Sequence, residues 1–281
     1  MMKVLDLFSG IGGFSLGLER TGGFETVAFC EIDPFCRDVL RRHWPSVPIY
    51  EDVRELTADE FNGRIDLICG GFPCQDVSIA GNRAGLDGER SGLWAEMRRL
   101  LSELRPAYVV VENTTGLLDL GLGTVLGDLA ELGYDAVWHS ISAAAVGAAH
   151  QRDRVWIVAH NRQERWGLSP VRDEQHARGV LANLNRFMAL SCGRGGEQQS
   201  NVDALAHFGA RIPDGTEQRI AYLKSALCRK SDGLPDQLDA VGALGNAVVP
   251  QIPELIGRAI LAAEHDLKAA HDGLGSMQER K

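Results

Sequence analysis

Along the first 160 positions, short unbroken apolar runs alternate with longer stretches in which apolar residues recur every three or four positions. The runs Val4–Phe8, Thr26–Ile32, Ile65–Gly71, Tyr108–Glu112 and Arg154–His160 predict buried strands. The amphipathic stretches Phe14–Thr21, Pro34–His43, Leu93–Leu104 and Val125–Leu132 predict helices. Pro34 suits the first turn of its helix, with Asp33 as the cap. Alternation of this kind predicts an α/β fold, a doubly wound and mostly parallel sheet with helices on both faces.

The alternation stops after His160. Residues 161–240 are polar and rich in Arg, Gly, Asn and Gln, and Leu190–Ser200 predicts an exposed loop. Order is expected to return at Leu244–Pro250. A helix of about 15 residues should then start near Pro250, and residues 268–281 should form a frayed tail.

Composition narrows the class. A chain of 281 residues can bury one large core, or one core with a smaller lobe. No run is long and apolar enough to span a bilayer, and an acid at position 6 argues against a secretory leader, so the cytoplasm is the expected location. The cysteines Cys30, Cys36, Cys69, Cys74, Cys192 and Cys228 form no C-x-x-C pair. No zinc or other metal site is expected, and in a reducing compartment these are free thiols. The net charge of −9 sits badly with a uniformly nucleic-acid-binding surface. Its distribution is uneven: residues 161–240 carry 11 Lys+Arg against 10 Asp+Glu, and the remainder 18 against 28. A DNA surface would be a local basic cleft on an acidic body.

Three strings carry chemistry. Phe8-x-Gly10-x-Gly12-Gly13 follows a strand and opens a helix, where glycines let the backbone approach a ligand and free N–H groups face it. Glu31 ends the second strand, the place where an acid commonly holds ribose hydroxyls in doubly wound folds. No lysine of the phosphate-binding kind follows Gly13. The second string is Gly70-Gly71-Phe72-Pro73-Cys74-Gln75, and the third is Val111-Glu112-Asn113, which sets Glu112 38 residues after Cys74. A cysteine and a carboxylate, each at the end of an apolar run, suit nucleophilic attack on a pyrimidine. C6 of a pyrimidine is a poor electrophile until the ring is protonated or strongly hydrogen-bonded; a thiolate then adds to C6 and C5 becomes an enamine-like carbon. Arg152 and Arg154 are two apart in an extended segment, so both can face one pocket and one can donate to the ring carbonyl. The loop over 75–92, with glycines at 81, 85, 88 and 92, suits a mobile lid. Taken singly, each has a plainer reading: a tight turn, an acid ahead of a helix, a solvated charge cluster.

Together these strings resemble the DNA (cytosine-5)-methyltransferases of the bacterial or prophage modification type, over residues 3–160 and 240–265. The resemblance implies S-adenosylmethionine as cofactor, held by Phe8, Gly10, Gly12 and Gly13, with Glu31 on the ribose, Ile32 against the adenine face and Asp52 on the adenine amino group. Gly245-Asn246-Ala247-Val248-Val249-Pro250 matches the family's C-terminal motif; its helix would fold back beside the first strand, with Asn246 and Val248 closing the pocket. The resemblance makes Cys74 the nucleophile and Glu112, Arg152 and Arg154 its catalytic partners, and puts Gln75, Ser78 and Arg90 on DNA near a flipped-out base. The family often carries Gln-x-Arg-x-Arg, whereas here His150 holds the first position and Gln151 stands one place late.

The implied domains are a catalytic and cofactor-binding unit over 1–160 and 241–267, a small DNA-recognition lobe over 161–240, and a flexible tail over 268–281. The family's penultimate motif has its nearest counterpart in Ser231–Pro235. The implied partner is duplex DNA, the implied state a monomer, and a companion restriction endonuclease acting on the same site is an open option. Two alternatives stand beside this reading: the same chemistry on structured RNA, and a catalytically silent module that binds cofactor or DNA.

Overall fold

The computed structural model describes residues 1–61, 63–73, 92–148, 152–161 and 245–278, with side chains as far as 265 in the last stretch. Cys74, Gln75, Ser78, Arg90, His150, Gln151 and all of 162–244 lie outside the described residues.

Seven strands form one sheet among the described residues: β1 (Met2–Leu7), β2 (Phe24–Cys30), β3 (Ile49–Tyr50), β4 (Leu67–Gly70), β5 (Tyr108–Thr114), β6 (Tyr134–Ser142) and β7 (Asp153–Asn161). Their order is β3-β2-β1-β4-β5-β7-β6, with β7 antiparallel to both neighbours and the pairings from β3 through β5 parallel. The helices are α1 (Gly13–Glu19), α2 (Pro34–His43), α3 (Leu93–Leu104), α4 (Leu117–Leu120), α5 (Leu122–Glu131) and α6 (Gln251–Gln278). The five predicted strands and the first four predicted helices are all present, with ends shifted by no more than a few residues. Asp33 caps α2 as expected, its carboxylate accepting from the Cys36 amide at 3.0 Å.

Both faces of the sheet are covered because apolar residues fill odd and even strand positions alike. Val4, Leu67, Tyr108, Val110, Trp156 and Val158 pack on one side with Phe14 and Leu18 of α1 and Ile252, Leu255, Ile256 and Ile260 of α6. Leu5, Ile68, Val109, Val111, Val155 and Ile157 pack on the other with α3, α4 and α5 through Trp94, Met97, Leu101, Leu117, Val125 and Leu129. The apolar stripe of α6 keeps helical spacing from Ile252 to Ala263.

Small residues bring α1 and α6 together. A Cβ on Gly17 would run into the Pro250 carbonyl and the Glu254 amide, and a Cβ on Gly257 would sit 3.1 Å from Phe24 and Thr21. α6 therefore lies against α1, the helix that comes after the glycine loop.

Two expectations need correction. α6 runs 28 residues rather than about 15, so it extends over 268–278 as well. Ala262, Ala263, Leu267, Ala269 and Ala270 favour helix strongly enough to carry it past the buried turns. Strand β6 was not expected from the sequence: Asp135, His139 and Ser140 interrupt its apolar pattern, and Trp138 is 41% exposed, as suits the edge of a sheet. No helix among the described residues is long and apolar enough to cross a membrane.

Candidate active site

The chain goes from β1 out to β2 and β3, then returns across the sheet to β4, so the strand order reverses between β1 and β4. In open parallel sheets ligands bind at such a point, outside the carboxyl ends of the strands. Leu7 pairs with Cys30 on one side and Gly70 on the other, so Phe8–Gly12, Glu31 and Gly71–Pro73 leave the sheet at one edge. Gly70 in turn pairs with Val111, which puts Gly71 beside Glu112.

The glycine loop is built from unusual backbone. Phe8, Gly10 and Gly12 have φ of 53°, 53° and 85°, in the region that favours glycine. At Phe8 a side chain is tolerated there because both neighbours are anchored: Leu7 in β1, and Ser9 through Oγ donating to the Asp6 carbonyl at 2.6 Å. Beneath the loop, the Asp6 carboxylate accepts from Ser15 Oγ at 2.7 Å and the Ser15 amide at 3.3 Å, fixing the start of α1. Burial pushes Asp6 up to about 7, against those hydrogen bonds. On the far side, the Trp44 ring covers Gly12, where a Cβ would stand 2.6 Å from it, and its indole N–H donates to Glu19 at 2.9 Å.

Glu31 closes the loop from β2. One carboxylate oxygen accepts from the Gly10 amide at 2.6 Å and the other from the Asp33 amide at 2.8 Å. Ile32 is 64% exposed next to it. Asp52 binds Arg54, whose Nη2 lies 2.6 Å from Oδ2, and that contact holds its carboxyl below the usual range. A Cβ on Gly10 meets nothing within 4 Å, so there is open space over the loop. An acid, an uncovered apolar side chain and open space at a glycine loop fit a ligand with vicinal hydroxyls and a flat ring, such as S-adenosylmethionine.

The second half of the site lies at β4, β5 and β7. Glu112 is 8% exposed, and a Cβ on Gly71 would sit 2.9 Å from its Oε2, so glycine lets β4 pass close to this carboxyl. Asn113 donates from Nδ2 to the Phe72 carbonyl at 3.1 Å, and Phe72 packs on Trp94 with ring centres 5.5 Å apart, so the segment ahead of Cys74 is fixed from both sides. Arg154 Nε lies 3.0 Å from Glu112 Oε1. Burial raises the Glu112 pKa, with Arg154 and Arg152 pulling the other way. Its acid form thus persists to higher pH than that of a solvated carboxyl.

Arg152 and Arg154 diverge. Arg154 pairs with Glu112, whereas Arg152 donates from Nη1 to the Gly245 carbonyl at 2.5 Å and from Nη2 to the Asn246 carbonyl at 3.0 Å. Val248 stands two residues after Asn246, its carbonyl 2.5 Å from where a Cβ on Gly13 would be. The structure therefore brings Phe8, Gly10, Gly12, Gly13, Glu31, Ile32, Glu112, Arg152, Arg154, Asn246 and Val248 to one edge of the sheet, while Asp52 is engaged by Arg54. Cys30, Cys36 and Cys69 are buried; burial and nearby carboxylates push the first two up to about 12 and Cys69 well above its ordinary value, so none of them supplies a thiolate. No cluster suited to a metal ion is present among the described residues. Sequence reasoning missed the supporting roles of Asp6, Trp44, Gly71 and Asn113. Asp6 and Asn113 stand at strand ends beside residues it did single out, which is the one signal that marks them.

Comparison with known proteins points to one family. Residues 2–189 match the profile of the C-5 cytosine-specific DNA methylase family. The Type II methyltransferase M2.BsuMI of Bacillus subtilis is 39% identical over 166 residues, covering 56% of this chain and 42% of that protein. The Type II methyltransferase M.CviJI of Paramecium bursaria Chlorella virus IL3A is 37% identical over 159 residues, again 56% of this chain and 42% of the other. The chain thus spans less than half the length of these relatives. Among solved structures, a prophage-encoded Escherichia coli protein assigned as a DNA modification methyltransferase matches with TM-score 0.50 and 29% identity, over 60% of this chain and 49% of that one. A triple mutant of Spodoptera frugiperda DNMT2 shares the fold, with TM-score 0.50 and 16% identity over 95% of this chain and 99% of the other.

Proposed function

We propose that this chain, which belongs to the C-5 cytosine-specific DNA methylase family, methylates C5 of a flipped-out cytosine in duplex DNA through a covalent adduct between Cys74 and C6. The observation that carries the reading is the buried Glu112 carboxyl, packed against Gly71 three residues before Cys74 and paired to Arg154 at 3.0 Å. S-adenosylmethionine, when bound, supplies the electrophilic methyl group. Phe8, Gly10, Gly12 and Gly13 would hold it by backbone approach, Glu31 by its ribose hydroxyls and Ile32 by its adenine face; Asp52 would take the adenine amino group, and Asn246 and Val248 would close the pocket.

Cys74 attacks C6 as a thiolate while Glu112 donates to N3, so charge entering the ring is neutralised as it develops. Arg154 orients Glu112 and reaches the ring carbonyl. C5, now enamine-like, takes the methyl group; its proton then passes to solvent as the C6–S bond breaks, Cys74 leaves as the thiolate, and the N3 proton returns to Glu112, which restores the aromatic ring. Ser78 and Arg90 meet the DNA backbone beside the flipped base, Gln75 also contacts the DNA, and residues 161–240 read the target sequence.

Trapping tests this. Duplex containing 5-fluorocytosine cannot lose a proton from C5, so the wild type with tritiated cofactor is expected to form an adduct that survives denaturing gels, and Cys74→Ser to form none. A normal adduct with the serine variant would remove Cys74 from the mechanism. Label appearing in transfer RNA and not in duplex DNA would reassign the substrate to structured RNA.

A further inference from the structure

We propose that Arg152 is a positioning residue for the cofactor site and not a group that touches the cytosine: it ties the Gly245–Asn246 segment to the start of β7 and so holds Val248 over the glycine loop. The inference rests on the cofactor assignment made above. Two arginines two places apart on one strand would be expected to share a target, yet they do not. Arg154 directs Nε to Glu112, while Arg152 gives both terminal nitrogens to the backbone carbonyls of Gly245 and Asn246. Those carbonyls belong to the first described residues after 162–244, so the contact fastens the chain where it rejoins the sheet.

The residues just past Asn246 lie against the cofactor loop. Val248 packs on the core with its carbonyl 2.5 Å from where a Cβ on Gly13 would be, and Pro250 and Glu254 close onto Gly17. The placement of this strip depends on its two ends. α6 fixes one by burying Ile252, Leu255 and Ile256. At the other end Gly245 and Asn246 are exposed and offer no apolar side chain, so packing cannot hold them and the Arg152 fork does. Arg152 also carries a positive charge that Glu112 feels, so the same side chain joins the cofactor side of the site to the substrate side.

Calorimetry and single-turnover kinetics on the same variants separate this role from substrate contact. Without DNA, Arg152→Ala is expected to raise the Kd for S-adenosylmethionine roughly tenfold or more, the size of two lost charge-assisted hydrogen bonds. At saturating cofactor its methyl-transfer rate should recover to a much larger share of wild type than that of Arg154→Ala, because the Glu112–Arg154 pair is left in place. Arg154→Ala should show the reverse, with Kd unchanged and the rate lost, and Arg152→Lys should recover part of the affinity. An unchanged Kd with a lost rate for Arg152→Ala would overturn the proposal and make Arg152 a substrate contact. If Arg152→Ala does not melt cooperatively, Arg152→Lys and hydrogen exchange at the amides of 245–249 in the cofactor-free protein decide it: faster exchange supports the tie, and wild-type protection overturns it. A wild type that binds no cofactor would refute the cofactor reading itself, and the exchange measurement would still judge the tie on its own.

Discussion

Replacing Glu112 by Gln keeps the side chain's size and removes its acid. Two effects on stability oppose each other. Glu112 is 8% exposed, so the amide relieves the cost of holding a carboxylate away from water. It also leaves Arg154, formerly 3.0 Å from a carboxylate oxygen, facing a neutral one. The Arg154 side chain is 23% exposed, and water can take up part of that loss. The two nearly cancel, and the net change in folding free energy should stay within ~1–2 kcal/mol. The rate responds differently: loss of proton donation at N3 should cost on the order of 10²-fold or more, which is about 2.7 kcal/mol of barrier. The sign with pH comes from burial. Because the Glu112 pKa is raised, its acid form carries the reaction to higher pH than a surface carboxyl would, and the contribution fades as pH rises through that raised value. Single-turnover methylation of a duplex substrate across a pH series, with denaturant unfolding of both proteins, measures all of this. A near-normal rate for Glu112→Gln, or pH profiles of the same shape, would refute the assignment and return Glu112 to a purely structural role.

Three other outcomes are expected. Asp6 is fully buried and raised to about 7 from an ordinary 3.8, so its ionised form weighs on the folded state increasingly as pH rises between those values. Asp6→Asn, which keeps an acceptor for Ser15, should stabilise above pH 7 by on the order of 4 kcal/mol at most, and the gain should vanish toward low pH; a gain independent of pH in urea unfolding would contradict this. Gly17→Ala drives a methyl into the Pro250 carbonyl and should destabilise by about 1–3 kcal/mol while weakening cofactor binding, as α6 and Val248 move off the loop; thermal melts and calorimetry check both. On the proposed cofactor assignment, Glu31→Ala should lower cofactor affinity roughly tenfold or more, since it removes the proposed ribose contact and the carboxylate that holds the Gly10 amide; equal calorimetric affinity for variant and wild type would show the ribose contact to be misassigned.

Strands covered on both faces announce themselves as unbroken apolar runs, which is why β1, β2, β4, β5 and β7 were legible. β6, half exposed at the sheet edge with Asp135, His139 and Ser140 inside it, carries no such run. The direction of β7 was not legible from its own residues. It comes from the short link between Ser142 and Asp153, which leaves no room for the crossover that a parallel neighbour of β6 would need. In the site, Glu31 and Glu112 were visible because each ends or sits within an apolar run. The split between Arg152 and Arg154 was not, because the Arg152 acceptors lie 93 and 94 positions away in the chain and are backbone atoms, which no residue type marks.

The reversed direction of β7 has a topological consequence. Its first residues stand by the crevice, and its last, Asn161, stands at the start of β5, with its amide donating to the Ala107 carbonyl. The chain therefore departs for residues 162–244 from one rim of the sheet and is received at Gly245 on the opposite rim. The strand itself measures that separation as roughly 27 Å, a gap that about nine extended residues would bridge. The two ends of β7 therefore mark where the chain leaves the sheet and where it comes back, and one strand's length sets the span that the intervening residues have to cross.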